Sequence, residues 1–141
     1  MTSEQEMRVL LGQLQQSEAE ARAYEQQMEL VSFTISEIDN AVATVEALSK
    51  PDVGKETLIT IGANSFVYGT IPQTNRVIIG LGANVSAEVD VADAVSYLTE
   101  RKKKLTEMQG QFNARLNQIG SQIYSLQSQL QTVQSQLQAE P

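Results

Sequence analysis

Four groupings in the chain have residue types that chemistry can use. Glu18, Glu20 and Glu25 form one set of neighbouring carboxylates and Asp39 with Glu46 another, the raw material of general acid–base catalysis. Gly80-Leu81-Gly82-Ala83-Asn84 has two of the three glycines of a dinucleotide-binding loop, and Arg101-Lys102-Lys103-Lys104 is a basic run open to an anionic contact. Each grouping has a plainer role. The carboxylates fall on the outer faces of helices, where their charge is solvated. The loop's third glycine would stand at Val85, and the residues after it continue as strand instead of opening a helix, so these glycines make a turn. The basic run is a solvated helical face, with Lys102 snorkelling out of an otherwise apolar row. The chain also has no Cys and no His. That removes thiol nucleophiles, imidazole acid–base chemistry, disulfides and the usual zinc ligand sets, so the sequence predicts neither an enzyme nor a metal or cofactor site.

The residues fall into an N-terminal coiled-coil helix over 1–50, tandem β-hairpins over 51–90 and a C-terminal coiled-coil helix over 91–141, together a single structural unit. At 141 residues, 41% hydrophobic but with three Phe, four Tyr and no Trp, the chain is long enough for one domain yet lacks the bulk for a large globular core. Its buried area must come from aliphatic rows. The net charge is −7, with nine acids against three bases in residues 1–50 and four against five in residues 91–141, a bias that favours pairing of the two helices only weakly once screened. A net acidic chain without a basic stripe argues against nucleic acid. No apolar run approaches the roughly 20 residues of a membrane span, and Met1-Thr2-Ser3-Glu4 does not open a signal peptide, so the expected location is cytoplasmic, with no membrane partner.

In the first helix an alternating four- and three-residue spacing runs through Met7, Leu10, Leu14, Ser17, Ala21, Tyr24, Met28, Val31, Ile35, Ile38, Val42 and Val45, and eleven of these twelve are apolar. The mean step of about 3.5 residues is that of a left-handed coiled coil. The helix is expected to stop near Ser49, because Pro51 disfavours helix at Lys50 and Asp52-Val53-Gly54 is turn chemistry. The second helix opens with Asp90 as N-cap and Asp93 in its first turn. Its row runs Val91, Val95, Leu98, Lys102, Leu105, Gln109, Phe112, Leu116, Ile119, Ile123, Leu126, Leu130, Val133 and Leu137, apolar at twelve of fourteen positions. Gly110 and Gly120 sit inside this second helix at a cost of ~1 kcal/mol each relative to Ala. Each arm is about 45 residues, or roughly 70 Å at the helical rise. Antiparallel pairing then sets Val45 near Val95, Met28 near Phe112 and Met7 near Val133.

Between the arms one pattern is written twice, twenty residues apart: Leu58 to Ile71 over Ile78 to Val91, each an apolar run, a Gly-Ala-Asn corner and a second apolar run. Gly and Asn tolerate positive φ, which predicts a turn or bulge at Gly62 to Ser65 and again at Gly82 to Asn84. Pro72 to Arg76 joins the hairpins. The last strand alternates Val85, Ala87, Val89 with Ser86, Glu88, Asp90, so one of its faces is wet. Two hairpins alone leave open strand edges that need partner strands.

Some apolar side chains lie outside the rows: Val9, Leu11, Leu30 and Phe33 in the first arm, Met108 and Tyr124 in the second. At the arm ends, Met7, Leu10, Leu11 and Leu14 make a denser apolar group than one partner helix hides, facing Leu126, Leu130, Val133 and Leu137. Gln127 to Gln138 has an outer face that is polar and almost uncharged. This apolar end is the main functional candidate, weighed against ordinary row packing with frayed ends.

Taken together, the chain resembles prefoldin, in particular the α-type subunit of the archaeal hexamer. The likeness rests on Glu25-Gln26-Gln27-Met28-Glu29-Leu30, on the corners Gly62-Ala63-Asn64-Ser65-Phe66-Val67 and Leu81-Gly82-Ala83-Asn84-Val85, on Glu88, and on Ala92 through Tyr97-Leu98 to Leu105. Two hairpins, not one, match the α type. Asn64 and Asn84 depart from the small residue or Gly common there, which touches turn geometry and not function. The resemblance implies an α+β fold, a long antiparallel two-helix coiled coil with two β-hairpins at the connecting end, the hairpins of several subunits assembling into an oligomeric β-barrel. It implies an ATP-independent holdase that grips non-native client proteins at the coiled-coil ends and passes them to a group II chaperonin. Its partners would be β-type subunits, two α with four β. Carried over by position, the client-contact residues are Met7, Leu10, Leu11, Leu14, Leu126, Leu130, Val133 and Leu137. Those of the assembly are Leu58, Ile59, Ile61, Phe66, Val67, Tyr68 and Ile71 in the first hairpin and Val77, Ile78, Ile79, Leu81, Val85 and Val89 in the second. The other reading is a coiled-coil structural adaptor for one defined folded partner.

Overall fold

A computed structural model describes residues 2–48 and 56–139. Its elements in order are α1 (Ser3–Leu48), β1 (Glu56–Gly62), β2 (Ser65–Thr70), β3 (Arg76–Gly82), β4 (Val85–Asp90) and α2 (Val91–Ala139). The expected helix stop at Ser49 to Pro51 and the turn at Asp52-Val53-Gly54 lie outside the described residues. By internal contacts the chain divides into two units, residues 1–33 with 105–141 and residues 34–104.

In the first unit α1 starts at a capping box that the sequence reading did not single out. The backbone N–H of Gln5 donates to Thr2 Oγ1 at 3.3 Å while the Thr2 N–H donates to Gln5 Oε1 at 3.0 Å, so two N–H groups without helical partners are satisfied reciprocally. The predicted rows are the buried faces of both helices: Met7 to Val31 in α1 and Leu105 to Leu137 in α2 are buried or half-buried at every row position. Leu10, Val31, Ile119 and Val133 are the most enclosed. The helices are antiparallel here, with the Gln109 amide donating to Ser32 Oγ at 2.7 Å and the Tyr24 and Phe112 rings 5.5 Å apart. Phe112 meets Tyr24 one turn from Met28, a diagonal contact between adjacent layers of the expected register.

In the second unit the row continues through Ile35, Ile38, Val42 and Val45 and through Val91, Val95, Leu98 and Lys102, none of them exposed. Between the helices lie two separate two-stranded antiparallel sheets, β1-β2 and β3-β4. Their registers are copies: Glu56 pairs with Thr70 and Arg76 with Asp90, and each ladder shifts once, between Thr60 and Gly62 and between Gly80 and Gly82. The corners have the cause expected. Ala63 and Asn64 have φ of 51° and 57°, and Ala83 and Asn84 have 50° and 61°, the paired left-handed residues of a two-residue hairpin loop, while Gly62 and Gly82 take φ of 95° and 99° at the bulge. Arg76 belongs to β3, so the connection between the hairpins ends at Asn75. β4 runs into α2 without a loop. The Asp93 N–H donates to Asp90 Oδ1 at 2.8 Å, the N-cap predicted, and the Val91 N–H donates to the Asn75 carbonyl oxygen at 3.3 Å, extending the β3-β4 ladder by one rung.

Nothing stands within 4 Å of where a Cβ would sit on Gly110 or Gly120. Gly110→Ala and Gly120→Ala are therefore expected to stabilise α2 by about 1 kcal/mol each, read as a higher urea midpoint at unchanged slope. A lower midpoint would place a close neighbour at those positions.

Candidate functional site

In the first unit the side chains proposed from sequence as contacts at the arm ends fall into two kinds. Leu10 and Val133 are buried and Met7, Leu14, Leu126, Leu130 and Leu137 half-buried, all within the helical rows. Leu11 alone of the eight lies outside the rows, 43% exposed, and Val9 beside it is similarly open. On α2 the exposed apolar side chains of this unit are Met108 and Tyr124, on α1 further along Leu30 and Phe33. These are the six side chains that the row pattern left without a place. An open groove between the helices is lined by Gln13, Gln16, Ser17, Glu20, Gln122, Ser125 and Leu126, a lining with one carboxylate and no base.

Two of the carboxylates weighed for catalysis, Glu20 and Asp39, are held in ion pairs between the helices. Arg115 donates through Nη2 at 2.7 Å and Nε at 3.2 Å to Glu20 Oε1 across the helix pair. That hydrogen bond, with the attraction of the carboxylate charge, holds the guanidinium above its ordinary pKa, so it is charged at every accessible pH. In the second unit Lys102 Nζ lies 2.7 Å from Asp39 Oδ1. The sequence reading sent Lys102 into solvent and left Asp39 solvated. The signal was available, because the register that sets Val45 beside Val95 also sets Asp39 beside Lys102. Both pairs are part-exposed, so they align the helices more than they stabilise them. Among the described residues there is no cluster of three or more His, Cys, Asp or Glu arranged to hold a metal ion.

The two hairpins of the second unit differ although their backbones match. Directly paired residues share a face. In β1-β2 one face carries Leu58 with Tyr68 and Thr60 with Phe66, and the other Ile59 with Val67, and every large apolar side chain among them is exposed. In β3-β4 the face with Val77, Ile79, Ala87 and Val89 is at least half-buried, whereas the opposite face sets Ile78 and Gly80 against Glu88 and Ser86 and holds the 3.2 Å Arg76–Glu88 ion pair. Of the remaining residues assigned to assembly, Ile71 is half-buried, and Ile61, Leu81 and Val85 are exposed beside the corners.

The described residues thus form paired antiparallel helices with a duplicated hairpin between them in the sequence. A protein-family model described as a prefoldin subunit matches residues 17–136, most of the chain. The chain belongs to the prefoldin family. It is 37% identical over 112 residues to prefoldin subunit alpha of Methanosarcina barkeri, covering 77% of this chain and 78% of that one. It is 33% identical over 104 residues to prefoldin subunit alpha of Methanothrix thermoacetophila, covering 74% and 68%. Among solved structures it superposes on a cryo-EM structure of filamentous prefoldin from Methanocaldococcus jannaschii with a TM-score of 0.69 at 21% identity, over 82% of this chain and 95% of the other. The resemblance read from the corner residues and arms is thus the family assignment, and the relatives named are alpha subunits. As a prefoldin subunit the chain is part of a chaperone that assembles with other prefoldin subunits. No helix among the described residues is long and apolar enough to cross a membrane.

Proposed function

We propose that the chain is the α-type subunit of an ATP-independent holdase. In this reading residues 51–90 are the assembly region, where hairpins from two α and four β subunits close into β-barrels. The ends of α1 and α2 away from the hairpins grip non-native polypeptides in the cytoplasm and deliver them to a group II chaperonin. One observation carries it: the large apolar side chains left exposed lie on the hairpins or on the outer faces of the paired helices, and nowhere else among the described residues. The hairpin group, with four open strand edges, needs other strands to cover it. The helical group, scattered and without a shaped pocket, fits chains that offer hydrophobic segments in no fixed conformation.

The reading is tested by mixing the assembled protein with several unrelated denatured proteins in the absence of ATP. Suppressed aggregation of all of them is expected, whereas an adaptor for one folded partner would protect none. Trimming residues 1–14 and 126–141 should abolish that protection while the assembly keeps its stoichiometry by mass. Dissociation on trimming would contradict the placement of client contacts at the arm ends.

A further inference from the structure

From Leu116 to Ala139, α2 has no charged residue over 24 positions, and α1 has none from Val9 to Ser17. The antiparallel pairing of the first unit sets these two stretches against each other. Outer positions of a coiled coil are ordinarily filled by Glu and Lys, whose hydration keeps the surface apart from other chains. Here they are mostly Gln and Ser in a protein of net charge −7. Three hydroxyls are already used: Ser121, Thr132 and Ser135 donate to the carbonyl oxygens of Asn117, Ser128 and Gln131 in the preceding turn. The amides are not. Gln127, Gln131, Gln134 and Gln138, spaced to form one stripe along the helix, are exposed and their side chains make no hydrogen bond among the described residues. Leu11 and Tyr124 stand exposed on the same charge-free length.

We propose that this stripe is a charge-blind contact surface for the unpaired backbone of non-native chains, whatever their net charge. The inference rests on the holdase reading and says how that site selects. A glutamine amide offers both a donor and an acceptor, so it matches the N–H and C=O groups of an extended segment in either orientation. Shedding water from a neutral amide costs far less than from a carboxylate or ammonium, and neutral contacts do not weaken with salt. Apolar contact at Leu11 and Tyr124 holds side chains of the segment while the amides take its backbone.

The test uses the full-length chain in its assembly, with a photo-crosslinking side chain in place of Ser135 so that only contacts of this surface are read. The clients are carbamidomethylated α-lactalbumin, acidic, and carbamidomethylated lysozyme, basic, both permanently unfolded. Crosslink yields within about threefold of each other are expected, and within about threefold between roughly 0.05 and 0.5 M salt, a range over which the screening length itself falls about threefold. With Gln127→Glu, Gln131→Glu, Gln134→Glu and Gln138→Glu together, the acidic client should be lost by roughly tenfold at low salt and recovered at high salt, and the four lysine substitutions should do the reverse. Strong salt or charge dependence in the unsubstituted chain would overturn this inference and leave the holdase reading standing. Absence of crosslinks to both clients would overturn this inference, while the holdase reading would still stand or fall on suppression of aggregation. A fall in the assembly's mass in the glutamate variant would show the stripe buried between subunits and likewise overturn the proposal.

Discussion

Replacing Ile59, Ile61, Ile78 and Leu81 together by glutamate is expected to dissociate the assembly while the helices persist, seen as a drop in sedimentation mass at nearly unchanged far-ultraviolet circular dichroism. In the chain itself these side chains are 43%, 64%, 73% and 46% exposed, so charging them removes little that holds one subunit together. What they lose is burial against other subunits. Completing the burial of a half-exposed Ile or Leu contributes on the order of 1 kcal/mol, so four sites contribute about 4 kcal/mol. Enclosing four carboxylates adds a further penalty of several kcal/mol. Together these exceed a factor of about a thousand in the association constant. The bulges at Thr60–Gly62 and Gly80–Gly82 place Ile61 and Leu81 at the corners, where strand pairing inside the chain is already interrupted. An unchanged mass would rule out the hairpins as the joining surface and leave the helices to do it.

The difference between the hairpins is the part of the fold that the sequence conveyed least. Leu58-Ile59-Thr60-Ile61 and Val77-Ile78-Ile79 are apolar runs without alternation, and such runs read as strands covered on both faces. Among the described residues the large apolar side chains on both faces of β1-β2 nevertheless stay exposed. Only the pairing register separates Ile59 with Val67 from Leu58 with Tyr68, and register depends on a bulge that the Gly-Ala-Asn corner predicts in kind but not in position. The arms were legible for the opposite reason. A repeat of seven carried over twelve and fourteen positions fixes one face per helix, and a single partner helix suffices to cover it. Polar residues in that repeat were harder. Lys102 and Gln109 look like breaks when read along one helix, and find Asp39 and Ser32 only when the two rows are set side by side. The arm-end candidates show the limit of composition: Met7, Leu14, Leu130 and Leu137 are as apolar as Leu11, yet they already serve the row, and only Leu11 is free to meet another chain.

Ile119→Ala should unpair the arms with the largest effect of any single truncation in the first unit. Ile119 is fully enclosed, with no exposed surface, whereas its neighbours in the row are half-buried. The register set by Ser32 with Gln109 and Tyr24 with Phe112 explains why. It brings Ile119 opposite Ser17 to Ala21, the stretch where the α1 row narrows to its two smallest members, so the isoleucine fills space that α1 leaves empty. Truncation there cannot be relieved by a large side chain moving in, and the expected cost is about 2–5 kcal/mol, against ~1 kcal/mol for Ile119→Val. The loss should appear as an earlier, separate urea transition in helical signal. The mass of the assembly is expected to hold, because the cavity lies in the first unit and the hairpins in the second. Client protection should fall with that transition, since the exposed Leu11 and Tyr124 are presented together only while the helices pair. Equal midpoints for the alanine and valine variants would show that Ile119 does not pack against α1, and the pairing that positions the contact surface would fall with it.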